Sequence, residues 1–255
     1  MIMSDEKIAC SHPGKIGDAN YSLPTVKRIA ELEHCQVDFY TSEVCRPLKR
    51  LFEYQSYIDK FYIPDNYKVE RMDMGVQPWY VPIDGHLYKK TYQLGFRSCP
   101  NTDLPTFIGN QVGVDGLGRV QYEYPDFETL NEPYYVLAPR GNTTYKDLFI
   151  DFVNKSPIPV VSIGAEGEFN YINAGINKCG LDILETVTWI AKSQGFVGLM
   201  SSQLTLANGF DIPKVAVHDG RSWDMRHVVR TLSNYYPVNP SAEDILKILE
   251  GKWLK

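Results

Sequence analysis

Short apolar runs alternate with longer segments of helical periodicity in two stretches of this chain, and that rhythm constrains the fold more than any other feature. Lys7 to Cys10 reads as a strand, followed by a glycine-containing loop and a helix from about Ser22 to Glu33 with Leu23, Val26, Ile29, Ala30 and Leu32 on its apolar face. Pro24 fits the first turn of that helix, where a missing N–H is no loss. Gln36 to Tyr40 reads as a second strand, Glu43 to Tyr54 as a second helix and Lys60 to Ile63 as a third strand. A βαβαβ series of this kind makes a parallel sheet flanked by helices.

From Pro64 to Pro133 the pattern loosens into Tyr-, Pro- and Gly-rich stretches that support no assignment. Alternation then resumes with strand Tyr134 to Ala138, helix Tyr145 to Asn154, strand Pro159 to Ile163, helix Leu181 to Ser193, strand Gly195 to Met200, helix Gln203 to Asn208 and strand Lys214 to His218. A last helix, Ala242 to Leu249, follows Ser241, which with Asp244 has the spacing of a capping box. The expected fold class is α/β, with two Rossmann-like doubly wound lobes at 1–133 and 134–255 and the last helix free to pack back on the first lobe.

Composition closes off several functional classes. No apolar run approaches the roughly 18 residues of a membrane span, and Met1 to Lys7 is too polar and acidic for a secretory signal, so cytoplasm is the expected location. Five scattered cysteines, Cys10, Cys35, Cys45, Cys99 and Cys179, form no C-x-x-C pair, and the five histidines show no H-x-x-x-H grouping, so neither a disulfide framework nor a metal site is expected. A net charge of -5 gives no global attraction to polyanions, and nucleic acid is not an expected partner. The G-x-S-x-G elbow, the G-x-G-x-x-G fingerprint and the Walker loop are all absent.

Open parallel sheets bind ligands beyond the carboxyl ends of their strands, which directs attention to four loops. The first, His12 to Asp18, offers two glycines and a carboxylate ahead of a helix; the bland alternative is that Asp18 or Ser22 caps that helix. The second, Pro139 to Lys146, combines Thr143, Thr144 and Lys146 at a strand-to-helix junction, where helix-start amides and an ammonium could neutralise a diphosphate, or a threonine could merely be an N-cap. The third, Gly164 to Glu168, places Glu166 and Glu168 where an acid can accept ribose hydroxyls or simply be solvated. The fourth, Met200 to Gln203, presents Ser201 and Ser202 at a helix start, as an anion site or as a plain serine cap. Tyrosines between Tyr54 and Tyr92 could line a sugar site or serve as packing.

These loops occur in the order seen in glycosyltransferase family 9, the ADP-heptose:lipopolysaccharide heptosyltransferase group. Residues 17 to 24, Gly-Asp-Ala-Asn-Tyr-Ser-Leu-Pro, resemble that family's G-D-x-x-x-[ST]-L-P segment, which implies Asp18 as the general base and sets Gly17 among the donor-binding residues. Gly141 to Lys146 resembles the family's phosphate loop and Gly164 to Glu168 its G-A-x-x-E segment, which assigns donor binding to Thr143, Thr144, Lys146 and Glu168. Where the family has D-[ST]-G-x-x-H-L-A this chain has Met200-Ser201-Ser202-Gln203-Leu204-Thr205-Leu206-Ala207. Ser201 and Ser202 keep amides for a diphosphate, but the aspartate, glycine and histidine are missing.

The resemblance implies a GT-B-like pair of lobes with a cleft between them, the acceptor on the first lobe and the nucleotide sugar on the second. The implied reaction is inverting and metal-independent, needs no cofactor, and moves a sugar from a nucleoside diphosphate donor, ADP-linked in that family, to a hydroxyl of a glycan, lipid-linked or other acceptor in surface glycan or lipopolysaccharide synthesis. Three rivals stand beside it. They are a non-catalytic sugar-nucleotide-binding protein, a glycosyltransferase acting on modified DNA bases, and a sugar-nucleotide epimerase.

Overall fold

A computed structural model describes residues 7–65, 81–95, 102–115, 117–139, 143–199, 201–218 and 239–252. Within them the chain divides into two compact units, the first running through Tyr124 and the second opening at Pro125.

The first unit holds a four-stranded sheet of β1 (Ile8–His12), β2 (Val37–Thr41), β3 (Ile58–Tyr62) and β4 (Lys90–Gln93), all parallel and ordered β3-β2-β1-β4. β1 runs two residues past the apolar signal because Ser11 and His12 are buried and bonded: the Ser11 hydroxyl donates to the Gln93 amide oxygen, and the Thr41 hydroxyl donates to the His12 carbonyl at 2.7 Å. Helix α1 (Ile16–Tyr21) and helix α2 (Leu23–Glu33) follow, and α2 buries Leu23, Val26, Ile29 and Ala30 as its periodicity predicts, while Leu32 stays about half exposed. The segment expected as one helix from Glu43 to Tyr54 is a 3-10 turn over Glu43–Leu48 and a short α3 (Lys49–Glu53). Pro47 explains the break, since it cannot donate to the helical ladder. Phe39 of β2 meets Phe52 of α3 at 4.7 Å between ring centroids, and Phe61 of β3 completes that core.

β4 and helix α4 (Leu104–Gln111) lie in the stretch that gave no assignment. β4 reads Lys-Thr-Tyr-Gln and is half-exposed, so it lacks the apolar run of a buried strand. α4 did carry a signal: Asp103 accepts the Thr106 N–H at 3.0 Å as N-cap, and Pro105 sits in the first turn.

The second unit holds a five-stranded parallel sheet of β5 (Tyr135–Ala138), β6 (Val160–Gly164), β7 (Ile176–Cys179), β8 (Gly195–Leu199) and β9 (Lys214–Val217), ordered β7-β6-β5-β8-β9. Helices α5 (Lys146–Lys155), α6 (Phe169–Ile172), α7 (Ile183–Ala191), α8 (Ser202–Ala207) and α9 (Ala242–Leu249) connect or cover it. Tyr135, Leu137, Val197, Leu199, Val215 and Val217 form one core face with Phe149 and Phe152 of α5. α9 adds Ile245, Ile248 and Leu249 to that same core, so the last helix packs on the second unit's own sheet and α5. Burying each of those three side chains stabilises by about 1.5–3 kcal/mol, reason enough for the helix to stay there. Ser241 and Asp244 form the reciprocal capping box their spacing predicted, and Asp182 and Glu185 form another at the start of α7.

Candidate functional site

Strand order decides which loops are neighbours. In the second sheet the chain runs outward from β5 through β6 to β7, then returns to the other side of β5 with β8 and β9. The connections after β5 and β8 therefore diverge from these two adjacent strands, the switch point at whose carboxyl ends open parallel sheets bind ligands. The loop that ends in Thr143–Lys146 follows β5, and the loop that ends in Ser201 and Ser202 follows β8. Glu168 lies in the loop after β6, the next strand over. With strands about 4.8 Å apart, three loops separated by tens of residues follow neighbouring parallel strands at the same end of one sheet. The first sheet repeats the arrangement between β1 and β4, and the loop after β1 leads to Asp18.

Asp18 does not sit in a loop, as the sequence suggested, but in the first turn of α1 with Gly17 beside it. Two glycines obscured the helix, although Ile16, Ala19 and Asn20 already had helical spacing. Ser22 is the N-cap residue of α2 but makes no side-chain cap bond. Lys15 is the N-cap of α1 without a side-chain cap bond, and the Ser22 hydroxyl donates backward to the Ala19 carbonyl at 2.6 Å. Asp18 is half-buried, and the turn that precedes it, Pro13 to Lys15, is tightly held. The Gly14 N–H donates to His12 Nδ1 at 3.0 Å, and the Cys45 thiol donates to the Gly14 carbonyl at 3.1 Å. Burial holds the His12 imidazole down to a pKa of about 3, so it is uncharged at neutral pH, and burial pushes the Cys45 thiol up to about 11. The sequence assigns no role to His12 or Cys45 themselves, and nothing in their spacing joins them.

In the second unit Thr143–Tyr145 forms a 3-10 turn that runs into α5, whose first residue is Lys146. The α5 N-cap residue is Tyr145, which makes no side-chain cap bond. Thr144 and Lys146 are exposed, and Lys146 forms no ion pair among the described residues. Gly141 and Asn142 of that loop, the side chain of Thr143, and Met200 lie outside the described residues.

Glu168 is half-exposed and folds back over Gly164, accepting the Ala165 N–H at 3.2 Å through Oε2. Gly164 has φ of +154°, a conformation that favours glycine, and its bare Cα leaves the space the carboxylate occupies. Ser201 is the N-cap of α8 and accepts the Leu204 N–H at 3.5 Å, so its side chain fulfils the plain capping alternative. The Ser202 hydroxyl donates to Gln203 Oε1 at 3.2 Å.

Other expected or rejected chemistries can be placed as well. Of the tyrosines, Tyr40 and Tyr62 stack at 4.7 Å, and the Tyr88 hydroxyl donates to buried Asp38 at 2.8 Å, which makes them part of the first unit's packing. Cys10, Cys35, Cys45 and Cys179 are free thiols. Among the described residues no group of three or more His, Cys, Asp or Glu is gathered as a metal site, and no helix is long and apolar enough to cross a membrane.

No protein-family model matches the chain, and no curated protein matches it by sequence. Solved structures do. A glycosyltransferase family 9 structure from Veillonella parvula superposes with a TM-score of 0.69 at 10% identity, covering 99% of this chain and 98% of that one. The heptosyltransferase WaaC of E. coli, solved with an ADP-2-deoxy-2-fluoro heptose, gives 0.63 at 9% identity over 97% and 100%. TibC, an iron-containing dodecameric glycosyltransferase of enterotoxigenic E. coli, gives 0.63 at 18% identity over 92% of this chain, which spans 62% of TibC's length.

What the likeness defines is a fold, an α/β architecture of parallel sheets that is also found in glycosyltransferase structures. More narrowly, it is the fold of the family 9 heptosyltransferase structures, at identities that carry the fold and not the substrate.

Proposed function

We propose that this chain is a glycosyltransferase that moves a sugar from a nucleoside diphosphate sugar to an acceptor hydroxyl, with inversion and without a required metal ion. The observation that carries the reading is that the Thr143–Lys146, Gly164–Glu168 and Ser201–Ser202 segments follow the adjacent parallel strands β5, β6 and β8, in a fold shared with heptosyltransferase structures. Residues 134–255 bind the donor in this reading, and residues 1–133 bind the acceptor. The ADP of the WaaC complex and the ADP-D-β-D-heptose of the TibC complex make an ADP-linked sugar the first donor to try.

Asp18 acts as general base: its carboxylate takes the proton of the acceptor hydroxyl as that oxygen forms a bond to the anomeric carbon. The bond from that carbon to the diphosphate breaks on the opposite face, and the electron pair leaves with the diphosphate. Lys146 and the backbone amides at the start of α5 receive the negative charge that builds there. Glu168 accepts hydroxyls of the donor ribose. In this reading the reaction runs in the cytoplasm.

The test is calorimetric titration with ADP and ADP-D-β-D-heptose, followed by measurement of ADP release with a panel of glycan acceptors. Asp18→Asn should bind donor as the wild type does and lose transfer by about a thousandfold or more, the upper end of general-base effects. Transfer undiminished in that variant would remove Asp18 from the chemistry. A second reading, a sugar-nucleotide-binding protein without transfer, draws on the Met200 to Thr205 departure and on Ser201 being engaged as a helix cap. Tight donor binding with no ADP release against the whole panel would favour it.

A further inference from the structure

His12 ends β1 with a side chain only 1% exposed, and the geometry around it reaches directly to Asp18. Its Nδ1 accepts the Gly14 N–H at 3.0 Å. A Cβ on Gly14 would fall 2.5 Å from His12 Cε1 and 3.0 Å from Asp18 Cβ, so the glycine backbone is layered between the imidazole and the root of the Asp18 side chain. Two further bonds pin the same turn: the Cys45 thiol reaches the Gly14 carbonyl at 3.1 Å, and the Thr41 hydroxyl reaches the His12 carbonyl at 2.7 Å. The Lys15 carbonyl then accepts the Ala19 N–H at 2.9 Å and starts α1.

We propose that His12 is a positioning residue for Asp18, fixing through Gly14 the turn from which α1 presents that carboxylate. The inference rests on the reading of Asp18 as general base. A base must lie within a hydrogen bond of the proton it takes, and a displacement of about 1 Å can lower turnover by about a hundredfold. A glycine turn left to itself samples many conformations. A buried ring that accepts its N–H and fills the space a side chain would take removes that freedom. Because Nδ1 is the acceptor, the ring proton belongs on Nε2. Burial keeps Nδ1 unprotonated across the pH range in which a glycosyltransferase is assayed.

Two variants separate the hydrogen bond from simple packing. His12→Asn puts an amide oxygen near the Nδ1 position and keeps an acceptor, while His12→Phe keeps the ring volume and removes it. Amide exchange at Gly14, followed by NMR in the free protein, needs no substrate. It should quicken about tenfold or more in His12→Phe, the loss of one net hydrogen bond, and return towards the wild-type rate in His12→Asn. With ADP-D-β-D-heptose as donor, kcat should fall about ten- to a hundredfold in His12→Phe with donor KM unchanged, and His12→Asn should recover most of it.

Unchanged Gly14 exchange and unchanged kcat in a folded His12→Phe would overturn the proposal. So would a folded His12→Asn that loses kcat as fully as the phenylalanine variant does. Should His12→Phe not fold, retained kcat in His12→Asn supports the proposal and lost kcat overturns it. Failure of the underlying reading shows separately, as full transfer by Asp18→Asn.

Discussion

Glu168 turns back on its own loop, with Oε2 accepting the Ala165 N–H at 3.2 Å and resting where a side chain on Gly164 would have to be. A Cβ at Gly164 would lie 2.0 Å from that oxygen, and the residue's φ of +154° adds strain for anything but glycine. The atom in the way is the far end of a flexible side chain, so the carboxylate should move and the sheet should survive. Gly164→Ala is expected to lower stability by about 1–3 kcal/mol in urea denaturation. It should also weaken ADP-D-β-D-heptose binding several-fold, and an unaltered affinity would take Glu168 out of the donor site.

Lys146 stands exposed at the first position of α5. Its ammonium can meet a diphosphate in company with the helix-start amides, and its removal disturbs no core contact. Lys146→Ala should therefore keep the wild-type melting temperature and bind ADP about tenfold more weakly, the loss of one hydrogen bond to a charged group. Added salt should weaken ADP binding to the wild type more than to the variant, because the missing charge is the one being screened.

The buried His12 makes an acid limb of stability. Its folded pKa, about 3, is depressed below the ordinary value of 6.5 that an unfolded chain would show. Between those values the unfolded chain binds a proton that the folded protein refuses, so this contribution is complete above pH 6.5 and is lost as pH falls toward 3. The slope is about 1.4 kcal/mol per pH unit once the unfolded histidine is protonated. Urea midpoints measured from pH 7 to pH 4 should fall steadily in the wild type and less steeply in a folded His12→Asn. Equal slopes would show that His12 is protonated in the folded protein.

Asp38 is a carboxylate buried in the first sheet, and one of its oxygens accepts the Tyr88 hydroxyl at 2.8 Å and faces Lys7 at 3.6 Å. Tyr88→Phe leaves the charge in place and takes away its shortest partner. A loss of about 1–3 kcal/mol is expected, the penalty for a buried polar group left short of a bond. Tyr88→Phe together with Asp38→Asn should recover part of that loss, and a double variant no better than the single would show that Tyr88 acts by packing alone.

The order of residues specifies the elements that bury continuous apolar runs or a clear helical stripe: β1, β2, β5, β6, β8, β9, α2, α5, α7 and α9 all lie within a few residues of where periodicity puts them. It determined the Ser241–Asp244 capping box as well, because a cap depends on residues three apart. Burial and capping are written locally, so they are legible locally. β4 and β7 escaped because they are half-exposed, and their Lys-Thr-Tyr-Gln and Ile-Asn-Lys-Cys show neither an apolar run nor an apolar stripe.

Tertiary pairing settles which loops are neighbours. Parallel pairing joins strands that are far apart in the chain, and the order β7-β6-β5-β8-β9 is what sets Lys146, Glu168 and Ser202 along one edge. It also decided that Asp18 belongs to α1, and that His12, Gly14 and Cys45 hold the turn in front of it. A histidine at the end of a strand and a cysteine thirty-three residues later carry no mutual signal in sequence. Their relation comes from β1 lying beside β2, which brings the segment after β2 against the turn after β1.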